Sequence, residues 1–379
     1  MNSKTDLPFI VMLFPGPRYN VSSDLKERVE SLSKEFRGLV FTVSNKDAVY
    51  EYANFKIYTM ASRRPASWVA AIGMLFMAIR EVRAVRGKEN VDLVTTYDPT
   101  KTGLLGVIMK WIFKSKLMVE VNGDYAGEDN YVDMPKGLSK SLKLFMMRTV
   151  ERFVLKNAGG AKLLYKEQLD YFANDVKHLE VSVFPNYVDV SRFTPRKQEN
   201  EILFVGFPLY RKGVDLLVEA FKKIYSERRD WRLRILGWFP DRTILDNLIL
   251  DCDGIVYQPP IDRSEMPAVL GRASILVLPS RSEAMGRILV EAAACGVARL
   301  GAAAGGIPTV ITDMKDGLLF ESKNIDDLKK KLLTLMDDPQ LRKELAEAAL
   351  VNVSEGGPYG RSQYYLKTIE LYKKVINGN

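Results

Sequence analysis

Cysteine is nearly absent: Cys252 and Cys295 are the only two in 379 residues, and no Cys-x-x-Cys pair occurs. That excludes a disulfide framework and a cysteine-built zinc site, and it suits a reducing cytoplasm. Histidine is scarcer still, with His178 alone, so a histidine-rich metal site is excluded and no metal is expected. The chain opens without a basic leader ahead of a signal-type apolar stretch; Pro8–Phe14 reads as a short strand. The longest apolar run, Trp68–Ile79, falls short of the ~20 residues that span a bilayer, and Gly103–Phe113 is interrupted by Lys110. No transmembrane helix is expected. No Gly-x-Gly-x-x-Gly follows a strand and no Walker spacing occurs, which argues against a nicotinamide dehydrogenase and a P-loop enzyme. No nucleic-acid-binding motif is present, and no nucleic acid is expected as a partner.

What is present is an ordinary globular composition, 47% hydrophobic and 27% charged. The length suits two domains. The net charge of +8 is unevenly spread: residues 1–196 carry 29 Lys and Arg against 22 Asp and Glu, and the remainder 26 against 25. The surplus in the first half is compatible with a polyanion or an anionic membrane surface there, and equally with a solvated basic surface that has no partner.

Strand-like and helix-like segments alternate, and the pattern runs twice. Strands at Phe9–Phe14, Leu39–Val43, Val91–Thr95 and Leu117–Val121 are separated by helices near Ser23–Phe36, Trp68–Val85 and Gly103–Phe113. A Pro-Gly-Pro turn at Pro15–Pro17 follows the first strand. Phe184–Pro195 breaks the rhythm. It restarts with strands at Ile202–Val205, Leu233–Leu236, Gly254–Tyr257, Ile275–Leu278 and Ala298–Gly301, with helices between them. The expectation is an α/β chain of two Rossmann-like domains, 1–196 and 197–361, with parallel sheets facing across a cleft. A last helix in 362–379 is expected to fold back on the first domain. Ligands of such sheets bind beyond the carboxyl ends of the strands, so the loops there are where chemistry is sought.

Three of those loops carry unusual residues. Val205-Gly206-Phe207-Pro208-Leu209-Tyr210-Arg211-Lys212-Gly213 joins a strand to a helix. A glycine lets backbone approach a ligand, the helix N-terminus favours phosphate, and Arg211 and Lys212 add charge; a plain basic turn reads the same way. Pro279 to Arg287 runs into Ile288-Leu289-Val290-Glu291, with Glu283 and Glu291 eight positions apart. On one helix they would be separated by about 12 Å. That exceeds the roughly 5–5.5 Å or 6.5–9.5 Å of glycosidase dyads, so two separate tasks fit better than a hydrolytic pair. The alternative is a glutamate favoured by the helix dipole plus a solvated one. Gly301-Ala302-Ala303-Ala304-Gly305-Gly306-Ile307-Pro308 could lie flat against a ligand, or be only a turn.

Together these segments resemble glycosyltransferase family 4, retaining enzymes of the GT-B fold. The carrying residues are Val205-Gly206…Lys212-Gly213-Val214-Asp215, Pro279-Ser280…Glu283…Gly286…Glu291-Ala292 and Gly305-Gly306-Ile307-Pro308…Asp316-Gly317. The segment Pro185-Asn186-Tyr187-Val188-Asp189…Arg192-Phe193…Pro195 is similar to the family's interdomain connection. Upstream, Asp98-Pro99…Thr102-Gly103 and Glu120-Val121-Asn122-Gly123-Asp124 are similar more loosely. The resemblance implies that Lys212 and Arg211 neutralise the diphosphate of a nucleotide-sugar donor and that Glu283 contacts the donor sugar. It implies that Glu291 holds the ribose, that the backbone of Met285 and Gly286, beside Leu289, binds sugar hydroxyls, and that the loop after Tyr257 holds the base. Gly206 and Gly16 would approach the diphosphate. The first domain would bind a glycan or lipid-linked acceptor, with Asp98, Asn122 and Asp124 as candidate contacts, and no metal or other cofactor would be obligatory.

Two positions depart from the family pattern. Phe207 stands where an arginine is usual soon after Val-Gly, and Asn122-Gly123 stands where His-Gly is common. With His178 in a different segment, a histidine general base is not expected. Rival readings are a GT-B epimerase or phosphorylase and a non-catalytic nucleotide-sugar binder. In the first half, Leu138–Arg148 and Trp68–Ile79 mix cations with apolar residues, as does a helix lying on an anionic membrane; Arg63, Arg64, Arg80, Arg83 and Arg86 flank the second. A core helix with a solvated basic face has the same composition. The expected location is the cytoplasm, with a peripheral place at the inner membrane face if the first of these readings holds.

Overall fold

The computed structural model describes residues 7–16, 23–85, 90–354 and 356–378; Pro17 and Arg86, named above, lie outside them. The chain divides into two compact units. One gathers residues 1–125, 145–184 and 365–379, the other 126–144 and 185–364.

In the first unit β1 (Phe9–Leu13) is apolar at every position because both of its faces are covered. It is followed by α1 (Ser23–Leu32), β2 (Arg37–Ser44), β3 (Ala48–Tyr52), β4 (Phe55–Ala61), α2 (Trp68–Val85) and β5 (Leu93–Thr96). Then come α3 (Lys101–Phe113), β6 (Lys116–Val121), α4 (Leu138–Asn157, counted with this unit from Phe145 onward), β7 (Gly160–Leu163) and β8 (Glu180–Val183). The sheet order is β3-β4-β2-β1-β5-β6-β7-β8. Every pairing is parallel except β3 with β4. That hairpin was not foreseen: its two-residue turn, Ala53-Asn54, lacks the glycine that marks such turns, and Ala53 takes φ +53° unaided. Strands β7 and β8 were also missed; each is four residues long, too short to show a period.

Helices α2, α3 and α4 pack on one face of this sheet. There Met74, Ala78, Val107, Met109 and Val154 join Val11, Phe41, Val94 and Val119 in one core. The other face holds a buried charged group. Arg28 of α1 pairs with Glu120 of β6 and donates to the Tyr372 hydroxyl at 3.2 Å. Burial alone would raise Glu120, but Arg28 and Lys162 outweigh it and hold the carboxyl below its usual value. Burial lowers Lys162 to about 7, against the pull of Glu120.

The second unit holds β9 (Glu199–Val205), α5 (Val214–Tyr225), β10 (Arg232–Leu236), α6 (Arg242–Ile249), β11 (Ile255–Gln258) and α7 (Met266–Arg272). Next are β12 (Ala273–Leu278), α8 (Arg287–Ala294), β13 (Ala298–Ala302), β14 (Leu318–Phe320), α9 (Ile325–Asp337) and α10 (Pro339–Asn352). The all-parallel sheet runs β11-β10-β9-β12-β13-β14. Its order reverses direction at β9 and β12, the switch point where ligands of open α/β sheets bind. Helix α5 shows why the pattern was readable: Leu216, Leu217, Ala220, Phe221 and Ile224 recur at helical spacing and all are buried. Helices α9 and α10 start at side-chain caps, Asn324 accepting from Asp327 N at 3.0 Å and Asp338 from Leu341 N at 2.9 Å. The last helix, α11 (Arg361–Asn377), is counted with the first unit from Tyr365 onward.

Candidate functional site

The loop after β9 is held by glycines on both sides. Gly206 N donates to Leu236 O at 3.0 Å, and a Cβ on the neighbouring Gly237 would lie 2.3 Å from Gly206 O. The Phe207–Pro208 peptide is cis. Gly213 opens α5 at φ +72°, and its Cβ position is 2.0 Å from Pro279 O, so only glycine fits there. The loop after β12 therefore lies directly on the loop after β9.

Charged side chains stitch the same two loops together. Arg281 grips Asp215 with two bonds of 2.7 Å, and its own N–H donates to Arg211 O at 2.8 Å. Lys212 pairs with Glu283, both largely buried, across 71 residues of sequence. The third loop joins at the same residue. Glu283 O accepts from Gly306 N at 2.9 Å, and Gly305, at φ +52°, comes so close that a Cβ would lie 2.2 Å from Glu283 O. The segments 206–213, 279–286 and 301–308 thus converge on Glu283. Glu283 sits in the loop, not at the head of a helix: α8 begins at Arg287 after Gly286, whose φ is +77°.

The two glutamates stand in different surroundings. Glu283 is pinned by a lysine. Glu291, inside α8, makes no side-chain hydrogen bond among the described residues. Burial raises its pKa, against the opposing charges of Arg287, Arg263 and Arg192. Met285 is buried, and Leu289 is fully buried behind Gly286, so the Leu289 side chain shapes the turn from inside the core.

Phe207 takes part in an aromatic cluster at the ends of β9, β10 and β11. Its ring lies 5.0 Å from Trp238 and 6.4 Å from Phe239. Phe239 meets Tyr257 edge-on at 6.1 Å, the Tyr257 hydroxyl donates to Gly237 O at 3.1 Å, and Arg242 stacks 3.7 Å from its ring centre. Trp238 is 57% exposed. Sequence reasoning passed over Trp238 and Arg242, which carry no motif of their own.

It also passed over Asp133 and Asn130. Asp133 accepts from Tyr210 N at 2.8 Å and from Arg211 N at 2.9 Å, while the Arg211 guanidinium donates to Asn130 at 3.3 Å. An anionic group therefore rests on two N–H groups of the basic loop, where oxygen atoms of a phosphate would find the same donors.

In the first unit the candidates serve its own structure. Asp98 accepts from Thr100 N (2.9 Å), Thr100 Oγ1 (2.6 Å) and Thr102 Oγ1 (2.6 Å) at the start of α3. Asn122 donates to Tyr97 O at 3.0 Å and Glu120 at 3.1 Å, and accepts from Lys162 at 3.4 Å. Gly16 lies where a Cβ would meet Val43 O at 2.3 Å. Asp124 bears on a residue that was missed, Glu151 of α4. Burial, then the charges of Asp124 and Asp98, push the Glu151 carboxyl up to about 8. His178 contacts Ala158 O at 3.2 Å, away from these loops in sequence and in partners.

The second of the two units carries a switch-point loop with cations, an acidic partner and glycine-tight crossings, and the solved structures that resemble the chain are GT-B glycosyltransferases in fold. Residues 189–351, less than half of the chain, match the model of "Glycosyl transferases group 1". Over nearly its whole length the chain is similar to an uncharacterized glycosyltransferase of Methanocaldococcus jannaschii, 25% identical over 339 residues, which is 89% of this chain and 91% of that one. A GDP-mannose-dependent phosphatidylinositol monomannoside mannosyltransferase of Corynebacterium glutamicum is 29% identical over 192 residues, 45% of this chain and half of that protein. Among solved structures, Anabaena HepE in complex with UDP and glucose superposes with a TM-score of 0.71 at 14% identity, covering 97% of this chain and 100% of that one. At that identity the likeness concerns the fold.

Proposed function

We propose that this protein is a retaining glycosyltransferase that moves a sugar from a nucleotide-diphosphate donor to a glycan or lipid-linked acceptor. The observation that carries the reading is the convergence of three loops on the Lys212–Glu283 pair at the switch point of the second sheet. Lys212 and Arg211 neutralise the diphosphate as the bond to the anomeric carbon breaks, so the leaving group needs no metal in this reading. The departing phosphate oxygen takes the proton of the acceptor hydroxyl. Glu283, released from Lys212 in part when the diphosphate arrives, faces the donor sugar. Glu291 accepts from the ribose hydroxyls. The N–H groups of Met285 and Gly286 bind sugar hydroxyls, with Leu289 packed behind them. Gly206 leaves room for the diphosphate, and the base lies by the loop after Tyr257. UDP and GDP donors are both supported by relatives: HepE was solved in complex with UDP and glucose, and the mannosyltransferase is GDP-mannose-dependent.

Asp98, Asn122 and Asp124 stay as acceptor-side candidates, the first two in the supporting sense that they shape the loops beside the acceptor. Two buried, unpaired cysteines suit a cytoplasmic location.

The test is a thermal-shift screen of UDP-, GDP- and ADP-sugars, followed by mass spectrometry of products with the stabilising donor. Nucleoside diphosphate release together with a glycosylated product, of unchanged anomeric configuration, is expected. Stabilisation by none of the donors would remove the reading; an isomerised donor with no acceptor product would replace transfer by epimerisation.

A further inference from the structure

Helix α4 has two apolar sides. Val154 and Leu155, with Glu151, are buried against the sheet. On the opposite side of the helix lie Leu138, Leu142, Phe145, Met146 and Phe153, and all are exposed, Phe145 by 67%. A helix at the surface of a water-soluble layer turns polar residues outward; α4 does not.

Its neighbours on the same face of the sheet behave alike. On α2, Trp68, Val69, Ile72 and Phe76 lie on one side and are exposed, Val69 by 80%, while Met74, Ala78 and Val82 face the core. On α3, Ile108 and Trp111 are exposed. Contacts link the three: the Trp111 ring meets Phe153 edge-on at 6.1 Å, and Lys101 of α3 sits 5.6 Å from the Trp68 ring centre. Apolar surface on three adjacent helices is larger than scattered exposed residues require.

Cations border it. Helix α3 with its cap carries Lys101, Lys110 and Lys114 and no acid. Helix α4 carries five Lys and Arg, and its single acid, Glu151, is buried. Opposing charge is sparse: Glu81 pairs with Arg80, and Asp175 takes Arg152 and Lys156.

We propose that the outer face of α2, α3 and α4 is a docking surface for an anionic lipid bilayer, with the aromatic and aliphatic side chains entering the interface and the lysines and arginines held at the phosphate level. Charge selects the occupant. Two copies of this face would oppose cation to cation in a two-fold dimer. A nucleic acid would use the cations but gain nothing from Val69, Ile72 or Leu142. An anionic bilayer satisfies both sets at once. The surface goes beyond the proposed transfer chemistry and does not depend on it, although it would bring the protein to lipid-linked acceptors.

The experiment is co-flotation of the full chain with phosphatidylcholine vesicles, with and without phosphatidylglycerol. Binding is expected only with the anionic lipid, and it should fall with added salt. Phe76→Ser with Phe145→Ser should weaken it at least about tenfold, and Lys140→Glu with Lys143→Glu by a similar factor. All four positions lie outside the donor loops, so donor-induced thermal shift should stay at the wild-type value. Equal flotation with neutral vesicles, flotation unchanged in both variants, or a dimer in solution that Phe145→Ser dissociates would each overturn the proposal. Donor stabilisation without flotation would sink the docking surface and leave the transferase reading intact; flotation without donor stabilisation would do the reverse.

Discussion

The two units use the polar residues after their strands in opposite ways. In the second, Lys212, Glu283 and Arg281 reach across from one loop to another, and Gly213 and Gly305 let the loops touch. In the first, Asp98 and Asn122 are consumed within a few residues or by the buried charges behind them. A loop whose polar groups bind one another at long range can exchange them for those of a ligand. A loop whose polar groups are already satisfied locally holds a shape. The motifs therefore read clearly in the second half and loosely in the first.

The sharpest way to break this contrast is Lys212→Ala. Losing the charge proposed to meet the diphosphate should cut kcat/KM by about 10²–10³-fold with the circular dichroism spectrum retained; a loss under threefold would place the chemistry elsewhere. Glu151→Gln probes the first unit. The Glu151 carboxyl titrates near 8 when folded and near its ordinary 4.5 when unfolded. The folded state therefore holds a proton that the unfolded state has released between those values, and stability falls as pH rises through that window. Glu151→Gln should flatten this slope and stabilise the protein at pH 8 by about 4 kcal/mol, read by urea unfolding from pH 5 to 8.5. Parallel pH curves for the two proteins would show that Glu151 ionises normally.

Gly213→Ala tests the crossing of the two loops. A Cβ 2.0 Å from Pro279 O at φ +72° should cost about 3 kcal/mol, and donor binding should weaken with it. Unchanged unfolding would mean the loops separate freely. The smallest effect is expected for Phe207→Arg. Removing the ring from Trp238 and Phe239 should cost about 1 kcal/mol, while the added charge should tighten nucleoside diphosphate binding severalfold by calorimetry. Weaker binding would make Phe207 part of the donor contact itself.

Much of the fold was legible. Segments such as α2 and α5 are long enough to display a 3.6-residue period, and buried strands such as β1 and β12 are apolar throughout. The hairpin β3–β4 was not, because Ala53-Asn54 lacks a turn glycine and β3 is only partly covered. Among the converging loops, Gly213 and Glu283 stood out in the sequence by type and position. Asp133, Trp238 and Glu151 were not, since a lone acid or aromatic in a loop or helix looks the same whether it faces solvent or another loop.

By itself, then, the order of residues determined the repeating strand–helix units, the place of the restart after Pro195 and the glycines that the tight turns demand, because each depends on neighbours a few positions away. Only the tertiary structure decided that Lys212 meets Glu283, that Asp98 and Asn122 are occupied, and that α4 presents a second apolar side outward. Those outcomes depend on which distant segments arrive beside each residue, and local periodicity carries no record of that.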